Sequence, residues 1–147
     1  MIGNSRFLKS KKESLQVVGA MRAPDQYVPG VRTDKLLKLV GFDWQEHVDS
    51  IERVETTVSY RLSMELSRQG IVVGPSSGLA LAGLLQYLTG LKKENKLEEL
   101  RENQSDDLVC VFLCPDGPLP YLDEYFKYLD SSNFPAIQNE ELMLNKP

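Results

Sequence analysis

Two short loops hold the residues best suited to chemistry. The first is Gly74-Pro-Ser-Ser-Gly78. Glycines at both ends let backbone come close to a ligand. The two hydroxyls, with the free N–H groups of a following helix start, can hold an anion or a polar ring substituent. The second is Cys114-Pro-Asp-Gly-Pro118, with Asp116 and Gly117 at its centre. Each loop also reads as ordinary turn chemistry. Ser76 or Ser77 suits a helix N-cap, and Asp116 can hydrogen-bond its own backbone as readily as a ligand.

Other chemistry is scarce. There is one histidine, His47, in Phe42-Asp-Trp-Gln-Glu-His, and it reads as a surface or partly packed residue. The chain contains no HExxH, GxSxG or Walker pattern and no acid pair spaced for general acid/base work. Cys110 and Cys114 are the only cysteines. They are too few for a zinc site or a disulfide framework, and they read as reduced, buried thiols of an intracellular protein.

The elements around these loops follow from periodicity and breakers. Ser5 to Lys12 reads as the end of a basic helix, Leu15 to Gly19 as a short buried strand, and Asp25 to Arg32 as a loop. Asp34 to Val40 forms a short helix, and Val48 to Val54 alternates apolar and polar residues like an exposed strand. Thr57 to Gln69 is an amphipathic helix with Val58, Leu62 and Leu66 on one stripe, Thr56 or Thr57 as N-cap, and Gly70 as its stop. Ser77 to Leu91 is apolar nearly all round, so it is expected inside. Leu108 to Leu113 is an unbroken apolar run, the pattern of a strand covered on both faces of a parallel sheet. Pro115 to Pro120 turns the chain, and Tyr121 to Leu129 makes a last helix. Strands alternating with helices predict an α/β layered domain, where ligands sit at loops leading from strand ends into helices. Both candidate loops occupy that position.

Length and composition set outer bounds. The 147 residues, 41% hydrophobic and 26% charged, fit one globular domain and are short for two. A net charge of −4 argues against nucleic acid as a partner. Residues 1–32 hold six basic and two acidic side chains, and no apolar core of signal-peptide length follows Met1. Gln69 to Leu91 has no charge, but the glycines, proline and serines of its first part break it well short of a membrane span.

Read in order, several segments resemble the C-terminal part of fold-type II pyridoxal-phosphate enzymes, the cysteine synthase and cystathionine β-synthase group. Gly3 to Lys9 is similar to the helix after the family's phosphate loop, and Leu15 to Ala20 to the next strand. Ser59 to Gly78 is similar to its helix, "GI" step and G-x-S-S-G loop. Val109 to Gly117, followed by Tyr121-Leu122, resembles the last strand, its P-[DS]-S-type loop and the helix beyond. The resemblance covers most of residues 3–130 and leaves 131–147 as a tail. It implies a partial three-layer sandwich with a mostly parallel sheet, of the tryptophan synthase β type. It also implies pyridoxal 5′-phosphate as cofactor, bound beside Gly74, Ser76, Ser77 and Gly78. The implied reaction is β-replacement or β-elimination on an O-activated serine, an amino-acid substrate, in an intracellular compartment, cytoplasmic or mitochondrial.

Two departures qualify that implication. Where the family's last loop gives a serine hydroxyl to the pyridine nitrogen, this chain has Gly117, preceded by Asp116. The Schiff-base lysine and phosphate loop of the family fall before the matched region and occur nowhere in the chain. Lys9, Lys35, Lys92 and Lys127 sit in polar settings, poor places to depress a lysine's pKa. The expectation is therefore the C-terminal half of such an enzyme, not competent alone and carrying no catalytic residue itself. Its expected partner is a complementary N-terminal half or a homo-oligomer. The alternative is a non-catalytic binding or regulatory module that associates with a full-length enzyme.

Overall fold

The computed structural model describes residues 2–101, 103 and 107–136. In chain order these form helix α1 (Ile2–Lys11), strand β1 (Val18–Arg22), a single turn of helix α2 (Asp34–Leu37), strand β2 (Ser50–Val54), and helices α3 (Thr56–Arg68), α4 (Pro75–Lys93) and α5 (Leu122–Tyr128). Short 3₁₀ turns lie at Gln45–His47, Leu97–Leu100, Leu119–Tyr121 and Ser131–Asn133. The domain is α/β, and its sheet is a parallel pair with Val18 opposite Ser50 and Arg22 opposite Val54.

The first strand begins later than Leu15. Asp49 explains the shift: its carboxylate accepts the Val17 N–H at 2.7 Å, and its own N–H donates to the Val17 carbonyl at 2.9 Å. Lys9 of α1 closes on the same carboxylate at 2.5 Å. The pair thus fixes both the register of the sheet and the seat of α1. Burial works to raise the Asp49 pKa, but the Lys9 and Val17 contacts outweigh it, and the group is held below the usual carboxylate range.

Helix α4 lies across the sheet. Gly83 makes this possible, since a Cβ there would come within 2.7 Å of the Ala20 methyl. Around this contact Val28, Val54, Leu79 and Ala82 form the main core, flanked by Ala20, Val31, Val58 and Leu62. Burial of α4 is one-sided: Leu79, Ala82 and Gly83 are inside, whereas Leu85 is exposed, so the expectation of a helix buried all round is corrected. Its outer face has no cover among the described residues.

Helix α3 packs on α4 through small residues. Its buried positions are Thr56, Ser59, Tyr60 and Ser63, while Val58, Leu62 and Leu66 are only half-buried. A Cβ at Gly78 would stand 1.9 Å from the Ser59 carbonyl oxygen and 2.6 Å from the Ser63 nitrogen. The helices touch backbone to backbone, and serines fit there because larger side chains would hold them apart. The freed hydroxyls stay satisfied, Ser59 Oγ donating to the Pro75 carbonyl at 2.6 Å and Ser63 Oγ bonding Tyr125 Oη at 2.7 Å.

The start of α3 is capped from outside the helix. Its Thr56 N–H donates to Gln26 Oε1 at 3.0 Å, and the Thr56 hydroxyl bonds both the N–H and the carbonyl of Tyr27 at 2.9 Å. Thr56 therefore ties the 25–32 loop to α3, and Glu55 takes the N-cap position without a side-chain cap.

The largest correction concerns Leu108 to Leu113. No strand forms: Asp107 to Gly117 has neither turn, bend nor helix, and it pairs with no strand among the described residues. Val109 and Val111 are 81% and 82% exposed, and Cys110 and Cys114 are free and exposed, where buried thiols were expected. An apolar run becomes a buried strand only when neighbours cover both faces, and the described residues supply none here. Beyond α5, Phe134 stacks on Phe126 with ring centroids 4.8 Å apart, while residues 137–147 of the expected tail lie outside the described residues.

Candidate functional site

The two loops singled out in the sequence meet in space. The Gly74 N–H donates to the Asp116 carbonyl at 2.9 Å, joining the entry of α4 to the segment that leads into the Leu119–Tyr121 turn. The junction has no room for a side chain at position 74. A Cβ there would lie 2.6 Å from Asp116 Oδ1, 2.9 Å from the Gly117 carbonyl oxygen and 3.2 Å from the Tyr121 ring.

Asp116 is held from two sides rather than turned onto its own backbone. Ser76 Oγ donates to Oδ1 at 3.3 Å, and Tyr121 Oη donates to Oδ2 at 2.6 Å. That contact with the carboxylate is the main reason the Tyr121 phenol is pushed up from its ordinary value. Gly117 is different, because a Cβ at that position would meet nothing within 4 Å. The two loops are thus in close contact at Gly74, and the open space of the junction lies at Gly117.

Helix α4 begins earlier than its serines suggested. Gly74 is the N-cap and Pro75 the first helical residue, whose fixed φ suits that place and whose missing N–H costs nothing there. Ser76 and Ser77 fall inside the first turn, so neither caps the helix. Ser77 is fully buried and its hydroxyl has no partner among the described residues, a state that ordinarily costs about 1–3 kcal/mol unless something else satisfies the group.

Behind the junction lies an aromatic cluster that sequence reading missed. Tyr60 and Tyr125 meet edge to face at 4.9 Å, and Tyr128 leans on Tyr60 at 5.0 Å. The Tyr60 hydroxyl donates to Glu124, while Tyr125 Oη reaches the Val73 carbonyl at 3.5 Å, one residue before Gly74. Burial first, then Glu124, pushes the Tyr60 phenol far above its usual value, and burial raises Tyr125 as well. Tyrosine spacing on α5 was the available signal; Tyr121, Tyr125 and Tyr128 recur at helical intervals.

No described lysine reaches the junction. Lys9 is committed to Asp49, Lys35 lies on α2, Lys92 in the last turn of α4, and the Lys127 ammonium sits over the Tyr128 ring at 5.0 Å. His47 is half-buried and uses its backbone carbonyl to accept the Ser5 hydroxyl at 2.7 Å. A surface cavity of about 480 Å³ lies along Leu37, Phe42, Trp44 and Arg53, and shares no residue with the junction.

With this geometry in hand, comparison with known proteins bears on the same segments. The chain is distantly similar to the cystathionine beta-synthase of Saccharomyces cerevisiae. The two are 25% identical over 136 residues, an alignment that takes in 84% of this chain. The chain spans 25% of that relative's length. No family model matches. Among the described residues, no helix is long and apolar enough to cross a membrane.

Proposed function

We propose that this chain is a cysteine-synthase-like region of fold-type II, whose Gly74–Gly78 and Asp116–Gly117 loops form one wall of a pyridoxal 5′-phosphate site. The reading carries with it the three-layer arrangement expected from the sequence and a reaction of the β-replacement or β-elimination class on an O-activated serine. The observation that supports it most is the Gly74 N–H to Asp116 carbonyl bond. Two segments matched to the family separately, far apart in sequence, come together in a contact too close for a side chain at position 74.

The residues present fit one side of such a group. Gly74 lets the two loops close on each other, Gly117 leaves open space beside them, and the unpartnered Ser77 hydroxyl belongs to the first turn of α4, where N–H groups favour negative or polar substituents. Asp116 has its carboxylate positioned by Ser76 and Tyr121, with acceptor capacity to spare, since a carboxylate offers about four lone-pair sites. Gly117 offers the ring nitrogen only open space. When bound, pyridoxal phosphate supplies an electron sink for charge developing on the substrate's α-carbon. The chain's own groups position and shield; a lysine and a phosphate cradle must come from residues other than those described.

Because the described residues supply no such lysine, a non-catalytic module is the second reading, favoured by the ion pair that occupies Lys9 and by the seat of the Lys127 ammonium over the Tyr128 ring. Titration with pyridoxine 5′-phosphate, which has no aldehyde to react with surface lysines, tests the site itself. Saturable movement of the backbone resonances of Gly74 to Gly78, Asp116 and Gly117 is expected. Movement scattered over the surface, or none, would reject it.

A further inference from the structure

The segment from Asp107 to Gly117 is the least explained part of the molecule. It runs eleven residues without turn, bend or helix. None of the backbone groups from Leu108 to Cys114 makes a hydrogen bond among the described residues. Its side chains are apolar from Leu108 to Leu113, with Val109, Val111 and Leu113 exposed at 81%, 82% and 60%. Ile71 and Val72, spliced to the same strip through the Gly74 to Asp116 bond, are exposed as well. Unpaired backbone together with apolar side chains on both faces is what an added strand satisfies: its main chain completes the ladder and its side chains cover the apolar rows.

Charge selects the occupant. Between Leu108 and Pro115 there is no charged residue, and the run is bracketed by Asp107 and Asp116. Antiparallel pairing of two copies along Leu108 to Pro115 would set Asp107 against the second copy's Asp116. Parallel pairing in register would set each acid on its own counterpart. Directly opposed like charges destabilise a strand pair, whereas basic groups at both ends of an incoming strand meet opposite charge. We propose that Asp107 to Gly117 is an unpaired segment that accepts a β-strand of another polypeptide, apolar along its length and flanked by lysine or arginine. The occupant would also cover Ile71 and Val72 beside the junction. The inference does not depend on the cofactor reading, since strand addition follows from exposure, pairing and charge alone.

The test titrates the full chain at low salt with a short peptide of alternating valine and threonine between paired lysines, and with its glutamate-flanked twin, reading fluorescence anisotropy. The lysine-flanked peptide is expected to bind about tenfold more tightly, with the difference shrinking as salt is added. A V109D/V111D double variant is expected to lose that binding while keeping the wild-type thermal melt, because both side chains are already exposed. Failure of the lysine-flanked peptide to bind, or equal binding of the two twins, would overturn the proposal. Sedimentation of the chain alone adds an independent arm: a wild-type dimer that the double variant abolishes would assign the segment to a second copy and overturn the proposal as well.

Discussion

At the scale of single residues, the glycines separate into those the packing demands and those that leave space. Gly78 sits where α3 and α4 touch through backbone, so Gly78→Ala must push the helices apart. A loss of about 3 kcal/mol or more is expected in urea unfolding, at the upper end of overpacking costs because the neighbour is main chain rather than a flexible side chain. Gly117→Ala meets nothing, so it should change stability by no more than about 0.5 kcal/mol. Tyr60 carries a second prediction. The phenols of Tyr60, Tyr121 and Tyr125 are all raised in the folded chain, so folding holds protons that the unfolded chain releases above the ordinary value of 10.0. Stability is therefore fully present below that pH and is lost as pH climbs beyond it. Tyr60→Phe should cost about 1–3 kcal/mol at neutral pH by stranding Glu124, and should make the alkaline loss less steep, measured by denaturant midpoints across the pH range.

At the scale of elements, Thr56 joins loop and helix. Thr56→Val keeps the shape but removes both bonds to Tyr27, leaving a backbone N–H and carbonyl in a half-buried place. A loss of about 1–3 kcal/mol is expected, with faster hydrogen exchange confined to residues 25–32 and the first turn of α3. The same elements show what the sequence could tell. The extent of α3 was legible because Gly70 stops it in a way that depends only on local backbone, whereas Pro75, which reads as part of a turn, is the first residue of α4. The buried face of α3 was not, since the apolar stripe of Val58, Leu62 and Leu66 drew attention away from Ser59 and Ser63. Serines become core residues only where a glycine on the facing helix permits close approach, and that is a tertiary fact. The start of β1 was displaced by Asp49, a residue far along the chain. Leu108 to Leu113 has strand composition without strand partners, and composition carries no information on whether a partner is at hand.

At the scale of the molecule, the described residues form a sheet of two strands with helices packed on it, and considerable apolar surface remains open on α4 and along residues 109–113. The chain is distantly similar to cystathionine beta-synthase and spans 25% of that protein's length. The junction of the Gly74 and Asp116 loops was legible as two separate loops, each with its own turn-like alternative. That they meet through one hydrogen bond was not, because their approach depends on how α4 and the Leu119–Tyr121 turn are held by the tyrosine cluster. If the open space at Gly117 receives the pyridine ring of the cofactor, as proposed, equilibrium dialysis of pyridoxine 5′-phosphate against the wild-type chain, Gly74→Ala and Gly117→Ser tests it most directly. Measurable binding by the wild type is expected, with weakening in Gly74→Ala, where a methyl group would push the Asp116–Gly117 loop away. About tenfold tightening is expected in Gly117→Ser, where a hydroxyl enters the open space beside the ring nitrogen. Absence of binding in all three proteins, or binding that neither substitution alters, would contradict the proposed site.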